Sequence, residues 1–239
     1  MWSIFKKELN QFFSNLTGYI AIILFLLING IFLFILPESS ILEFGYATLD
    51  KFFELAPWVL LFLVPAITMR SLSDEFKTGT FEILKTRPLT KWQIVLGKYY
   101  ALLIVVVFVI IPTFLYILSI SSLSTSGVDS GGITGSYIGL FFLAAVFASI
   151  SLCCSSFTSN AVIAFLLSAF ACLLIYFGFA AFSKIIFFQG SADYYIEMLG
   201  IDFHYRSISR GVLDSRDIIY FGSVIFISLW VTVVNLYKK

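Results

Sequence analysis

The sequence predicts an all-α integral membrane protein with six transmembrane helices, and three observations carry that prediction. First, the 239-residue chain is 60% hydrophobic and only 12% charged, with a mean hydropathy of +1.00, whereas a soluble domain carries about 25% charged residues. So little charge cannot cover a water-facing surface, so the solvent must be lipid. Second, the apolar residues gather in runs of about the 20 residues a helix needs to cross the hydrocarbon core. Third, Ser130 to Ser183 contains no Lys, Arg, Asp, Glu or His over 54 residues. As one helix that run would be about 80 Å long, more than one crossing, so it must fold back. The net charge of +1 gives no footprint for nucleic acid or a polyanionic substrate.

Residues 1–16, MWSIFKKELNQFFSNL, place Trp2, Phe5, Leu9, Phe12, Phe13 and Leu16 at three- and four-residue steps, with Lys6, Lys7, Asn10, Gln11 and Ser14 on the other side. That pattern predicts an amphipathic helix lying in the membrane interface. Span 1 is Gly18–Leu36. It is longer than a signal-peptide core and no A-x-A site follows, so it is expected to stay as an anchor. Span 2 is Phe52–Ser71, with Pro57 and Pro65 inside, and span 3 is Tyr99–Ile120, with Pro112 near its middle. In the long uncharged run, the polar cluster Ser155–Asn160 marks the turn, with Ser159 or Asn160 as N-cap. Span 4 is therefore Ser136–Cys154 and span 5 is Asn160–Phe182, while Ile218–Leu236 forms span 6.

Six spans put both termini on one side. That side holds ten Lys and Arg (Lys6, Lys7, Arg70, Lys77, Lys85, Arg87, Lys91, Lys98, Lys238, Lys239). The other holds five (Lys51, Lys184, Arg206, Arg210, Arg216). The positive-inside rule then puts the termini in the cytoplasm. The segment Lys184–Asp217, on the opposite side, is too apolar for a plain loop and too charged for a span. Phe187, Phe188, Tyr194, Tyr195 and Phe203 are among its apolar residues, and breaks are expected at Gly190 and Gly200. A pair of short surface-lying or re-entrant helices fits it.

Chemistry-bearing motifs are sparse. His204 is the lone histidine. It lies outside the spans with no oriented partner evident from the sequence, so it reads as a polar anchor rather than a base or metal ligand. Cys153, Cys154 and Cys172 fall in apolar runs without metal spacing and read as packing residues. No Gly-x-x-x-x-Gly-Lys-Ser/Thr phosphate loop occurs, and the Gly-rich Ser126–Gly132 reads as a flexible connector. Any ATP must bind another chain. The spans lack the acids and histidines of ion relays, which argues against an ion-coupled carrier. Asn29, in span 1, is expected to bond across helices or line a subunit seam.

Ser73–Lys98 stands out between spans 2 and 3. Ser71-Leu72-Ser73-Asp74 has a helix-start pattern, and Phe76, Thr80, Ile83 and Leu84 can share one face. Gly79-Thr80 marks a break, Arg87-Pro88 a stop, and Thr90-Lys91-Trp92-Gln93 a capping box opening the next helix. Lys98 is expected to snorkel at the membrane entry. A passive link needs about two to eight residues, and this one uses 26 with its own apolar face. Such an element is expected to dock a partner.

Asp74-Glu75-Phe76-Lys77-Thr78-Gly79-Thr80-Phe81-Glu82-Ile83-Leu84, followed by Arg87-Pro88-Leu89-Thr90 and Gly97-Lys98, resembles the signature of ABC-2 type transporter permeases. The interfacial helix, six spans and short helices before span 6 are similar to that family along the whole chain. The run His204–Asp217 resembles the gliding-motility branch represented by the GldF permease. The resemblance implies a single permease domain over 1–239 without enzyme activity of its own, in the bacterial inner membrane. Its partners would be a separate GldA-like ABC ATPase carrying ATP and Mg, and a GldG-like auxiliary subunit or a second copy of the chain. It implies a coupling helix that docks the ATPase through Ser73, Asp74, Glu75, Phe76, Gly79, Thr80, Glu82, Leu84 and Pro88. It implies a connecting helix built on Trp2, Phe5, Leu9, Phe12 and Phe13. It also implies external helices bearing His204, Arg206, Arg210 and Gly211. Phe76 departs from the family, where a charged residue is frequent. Two other functions stay open: a scaffold that transmits ATPase work without transport, and an ion-coupled carrier.

Overall fold

The computed structural model describes residues 1–36, 48–123, 129–184 and 193–238. Phe187, Phe188, Gly190 and residues 126–128 of the Gly-rich stretch lie outside the described residues. Among the described residues all regular structure is helical. In chain order the helices are α1 (Trp2–Ser14), α2 (Leu16–Phe34), α3 (Asp50–Thr68), α4 (Arg70–Thr78), α5 (Thr80–Lys85), α6 (Lys91–Ile110) and α7 (Phe114–Leu123). They continue with α8 (Ser130–Phe157), α9 (Ala161–Leu173), α10 (Phe179–Ser183), α11 (Asp193–Glu197), α12 (Ile201–Ser209) and α13 (Ser215–Lys238). Five helical runs are long and apolar enough to cross a membrane, or six if α1 and α2, bent by 63° to each other, count as one span.

α8 is the hub. It packs against α3, α6, α9, α12 and α13, and 72% of its apolar window is buried, against 28% for the windows of Ala161–Ser183 and Ser215–Lys238. Lipid gives helices no hydrophobic reason to associate, so close packing of small side chains must do it. α8 supplies them in Gly135, Gly139, Ala144, Ala148 and Ser149, while Leu140, Leu143, Val146 and Phe147 fill the core between. The outer helices keep large apolar residues exposed, such as Leu166 and Phe170 on α9 and Phe226 and Trp230 on α13. That is the arrangement of a bundle bathed in hydrocarbon.

The breaks have local causes. Pro112 lacks an N–H, and the chain passes through a 3₁₀ turn, Ile111–Thr113, between α6 and α7. Ala161–Ser183 is continuous but carries a π-helical stretch at Leu174–Gly178. Asn160 caps α9 as expected, its Oδ1 accepting the Val162 N–H at 2.9 Å. The turn is shorter than the sequence suggested, because Ser155 and Ser156 are buried inside α8 rather than in the link. The Gly-rich stretch also differs. Gly131 and Gly132 are not a connector but the first turn of α8, their N–H groups both held at 3.1 Å by the Asp129 carboxylate. Among the described residues Asn29 makes no bond to another helix. Its Nδ2 donates to Phe25 O in its own helix at 2.8 Å.

Candidate functional site

At the α1 end of the bundle, helix-start signals at Ser71 go unused. α3 runs on through Met69 into α4, giving one 29-residue run, Asp50–Thr78. The junction at Met69 is where Ser155 of α8 inserts. Its hydroxyl accepts the N–H groups of Leu72 and Ser73, each at 3.1 Å, and donates to Met69 O at 3.2 Å. A side chain entering the backbone ladder is a recognised cause of a helix kink. The run stops at Gly79, whose φ of +70° lies in the left-handed region that glycine tolerates best. Short α5 follows, then the Arg87–Pro88 turn. α6 opens with the predicted capping box, Gln93 N–H on Thr90 Oγ1 and Thr90 N–H on Gln93 Oε1.

The root of this elbow is ionic. Lys98 does not snorkel. It is 1% exposed, with its Nζ 2.7 Å from Glu8 Oε1, 2.9 Å from Glu75 Oε1 and 2.7 Å from the Ser71 carbonyl. Half-exposed Lys7 adds a second ammonium 2.9 Å from Glu75 Oε1. Partial burial pulls the Lys7 ammonium down, but the Glu75 and Glu8 carboxylates together outweigh it and hold Lys7 above the ordinary lysine range. Glu8 and Glu75 are themselves buried, so α1, α4 and α6 meet around one buried ion cluster. Gly97 makes the approach possible. A Cβ there would stand 3.1 Å from Met1 O and 3.2 Å from Ile4.

Of the residues expected to touch a partner, Ser73 and Glu75 are turned inward, Ser73 back-bonded to Met69 O and Glu75 into the ion cluster. The expected common face of Phe76, Thr80, Ile83 and Leu84 is split by the break at Gly79. Instead Phe76 packs edge-on against buried Phe81 across the bend, ring centroids 5.0 Å apart. Gly79, Thr80, Glu82 and Pro88 are exposed, Asp74 and Leu84 half-buried, and Ile83 is 61% exposed at the tip. Along α1, Trp2 is exposed and Phe5, Leu9, Phe12 and Phe13 are half-buried, flanking the buried Ile4–Glu8 stripe.

The sequence reading missed Glu8, Ser155 and Lys91. Lys91 donates to Leu236 O at 2.6 Å and sits 3.9 Å over the Tyr237 ring, a cation closing the C-terminus of α13. One signal was available. Glu8 is an acid inside the apolar stripe of α1, four residues from Ile4.

At the α12 end, His204 does have an oriented partner. It is buried, with Nδ1 2.6 Å from Asp217 Oδ1 and Nε2 2.9 Å from the Met198 carbonyl. A carbonyl only accepts, so Nε2 is the donor to Met198 O. The ring stacks on Tyr220. Arg206 pairs with Asp202 one turn back, Arg210 is exposed, and burial pushes the Tyr205 phenol up while its hydroxyl donates to Phe53 O at 2.7 Å. Gly211, with φ +83°, closes α12 directly on α8. A Cβ on Gly135 would lie 2.7 Å from Ile208 O and 2.8 Å from Gly211 Cα. α12 begins after Gly200, the predicted break.

Among the described residues no group of His, Cys, Asp and Glu is arranged to hold a metal ion. Cys172 is fully buried in packing. No curated protein matches the sequence. The family model described as ABC-2 family transporter protein matches residues 2–199, which takes in the interfacial helix, the elbow with its ion cluster, and five of the predicted spans. The chain therefore belongs to the ABC-2 family of transporter proteins, as a multi-pass membrane permease subunit that works with an ABC ATPase.

Proposed function

We propose that the chain converts ATP binding and hydrolysis on a separate ATPase into export, or into conformational work, across a bacterial inner membrane. The observation that carries this reading is the elbow. Its tip exposes Glu82, Ile83 and Pro88, while its root is fixed to α1, α6 and α8 by the Glu8–Lys98–Glu75 cluster and by Ser155. A force applied at the tip therefore reaches three other helices through buried, directional contacts. The two-state shift expected of such a permease needs a rigid connection of this kind.

In this reading the whole chain acts as one permease domain, with the elbow and both termini facing the cytoplasm. ATP and Mg stay on the ATPase. The resemblance of His204–Asp217 to the gliding-motility branch favours a GldF-like role, with a GldA-like ATPase and a GldG-like or second permease chain completing the complex. Exposed Glu82, Ile83 and Pro88, with half-buried Leu84, form the docking face. Ser73 and Glu75 support it from inside.

The test is affinity purification of the tagged chain from native membranes, beside an Ile83→Asp, Glu82→Lys variant. An ATPase that co-purifies with the wild type and is lost from the variant supports the reading. Transport that persists after the ATPase is deleted would sink it in favour of an ion-coupled carrier. ATP-dependent shape change without flux would leave a mechanical transmitter.

A further inference from the structure

A cleft of about 590 Å³ opens between α1, α2 and the α3–α4 junction. A water molecule occupies about 30 Å³, so the space suits a ligand rather than one bridging water. Its two walls differ in chemistry. Leu24, Leu63, Ala66 and Ile67 make one side apolar, and Lys7, Arg70, Ser71, Asp74 and Glu75 line the other. Behind the polar side two enclosed atoms lack a hydrogen-bond partner among the described residues: Glu75 Oε2 and Ser71 Oγ. Both lysines of the ion cluster bind Glu75 through Oε1, which leaves Oε2 as an acceptor in want of a donor. A buried acceptor without a donor is costly.

Two further charges are uncommitted. Arg70 and Asp74 stand one helical turn apart, the spacing at which ion pairs form. Yet neither has an ion pair among the described residues. The cleft thus offers the Asp74 carboxylate and the Arg70 guanidinium, one helical turn apart. With Lys98 behind, its cations Lys7, Arg70 and Lys98 balance its acids Glu8, Asp74 and Glu75. A balanced site favours a zwitterion over a plain anion.

We infer that this cleft binds an aminophospholipid of the phosphatidylethanolamine type. Its primary ammonium donates to the half-buried Asp74 carboxylate, its phosphate meets Arg70, and an acyl chain lies along Leu24, Leu63 and Ile67. The primary amine is the deciding feature. Phosphatidylcholine has a zwitterionic head but no N–H to give, and phosphatidylglycerol has the phosphate without the cation. The inference does not rest on ATPase docking, and its test needs no ATPase.

The experiment is native mass spectrometry of the purified full-length chain, titrated in mild detergent with phosphatidylethanolamine, phosphatidylcholine and phosphatidylglycerol of matched acyl chains. One phosphatidylethanolamine should be retained about tenfold more tightly than either competitor, the scale of one charge-assisted hydrogen bond. Asp74→Asn should remove most of that preference and Arg70→Gln should weaken all phospholipid retention. Ala66→Phe, which fills the cleft from its exposed apolar wall, should abolish the adduct. Equal retention of all three lipids, a preference unchanged in Asp74→Asn, or no retained lipid on folded wild type would each overturn the assignment. The last result would mean that the cleft holds water.

Discussion

The two ends of the bundle each bury a contact made by a carboxylate side chain, but they use it differently. At the α12 end His204 and Asp217 are 13 residues apart, and the pair fastens a short helix to the span that follows it. At the α1 end Lys98 reaches 90 residues back to Glu8 and also holds Glu75. The first contact is a local staple on a cap already seated by glycine on α8. The second joins three helices, α1, α4 and α6, that lie far apart in the sequence. A buried ion pair adds little net stability over a well-packed apolar substitute, whereas breaking one by removing a partner is expensive. The α1 end therefore reads as a device that makes the elbow move as one body with α1 and α6, and the α12 end as a closure.

The comparison can be broken most forcefully at Lys98. Lys98→Met leaves two buried carboxylates with only half-exposed Lys7 beside them and should cost about 3–5 kcal/mol, read as a large drop in thermal unfolding temperature in detergent. Adding Glu8→Gln and Glu75→Gln to that variant should recover much of the loss, because the stranded charges are gone. If the triple variant is no better than Lys98→Met, the cluster is not what holds the elbow.

The α12 end should be less sensitive to charge and more to shape. Gly135→Val would push a side chain into Ile208 O and Gly211 Cα, and overpacking of this kind costs about 1–3 kcal/mol. Accessibility labelling of single cysteines on α12 should rise as the helix lifts from α8. His204→Ala removes the hydrogen-bond partner of buried Asp217, whose Oδ2 already lacks one among the described residues. It should cost about 1–3 kcal/mol, less than Lys98→Met in the same assay. Thr90→Ala, which removes the α6 cap, should cost about 1 kcal/mol. Smallest in stability are Glu82→Lys and Ile83→Asp at the exposed tip, within about 0.5 kcal/mol of wild type.

Hydropathy and local chemistry made the spans legible. Asn160 was readable as a cap, Thr90–Gln93 as a capping box and Gly200 as a break because each acts within a few residues. The cluster was not readable, because Glu8, Glu75 and Lys98 come together only once α1 folds back over Gly97. For Lys98, the expected snorkelling overlooked carboxylate partners on two other helices. Ser71 looked like a helix start and Ser155 like a turn residue for the same reason. The first lies on a helix already running, and the second bonds to the backbone of that helix between Met69 and Ser73.

The central claim is that the tip of the elbow receives the ATPase while its buried root only transmits. The most direct measurement is co-purification of the ATPase with wild type, with the Glu82→Lys, Ile83→Asp variant, and with the Lys98→Met, Glu8→Gln, Glu75→Gln variant. ATP-dependent activity is followed in the same preparations. The account predicts that the tip variant folds but loses the ATPase. The root variant should keep the ATPase bound but lose ATP-dependent activity. A tip variant that still binds the ATPase as well as wild type would contradict it.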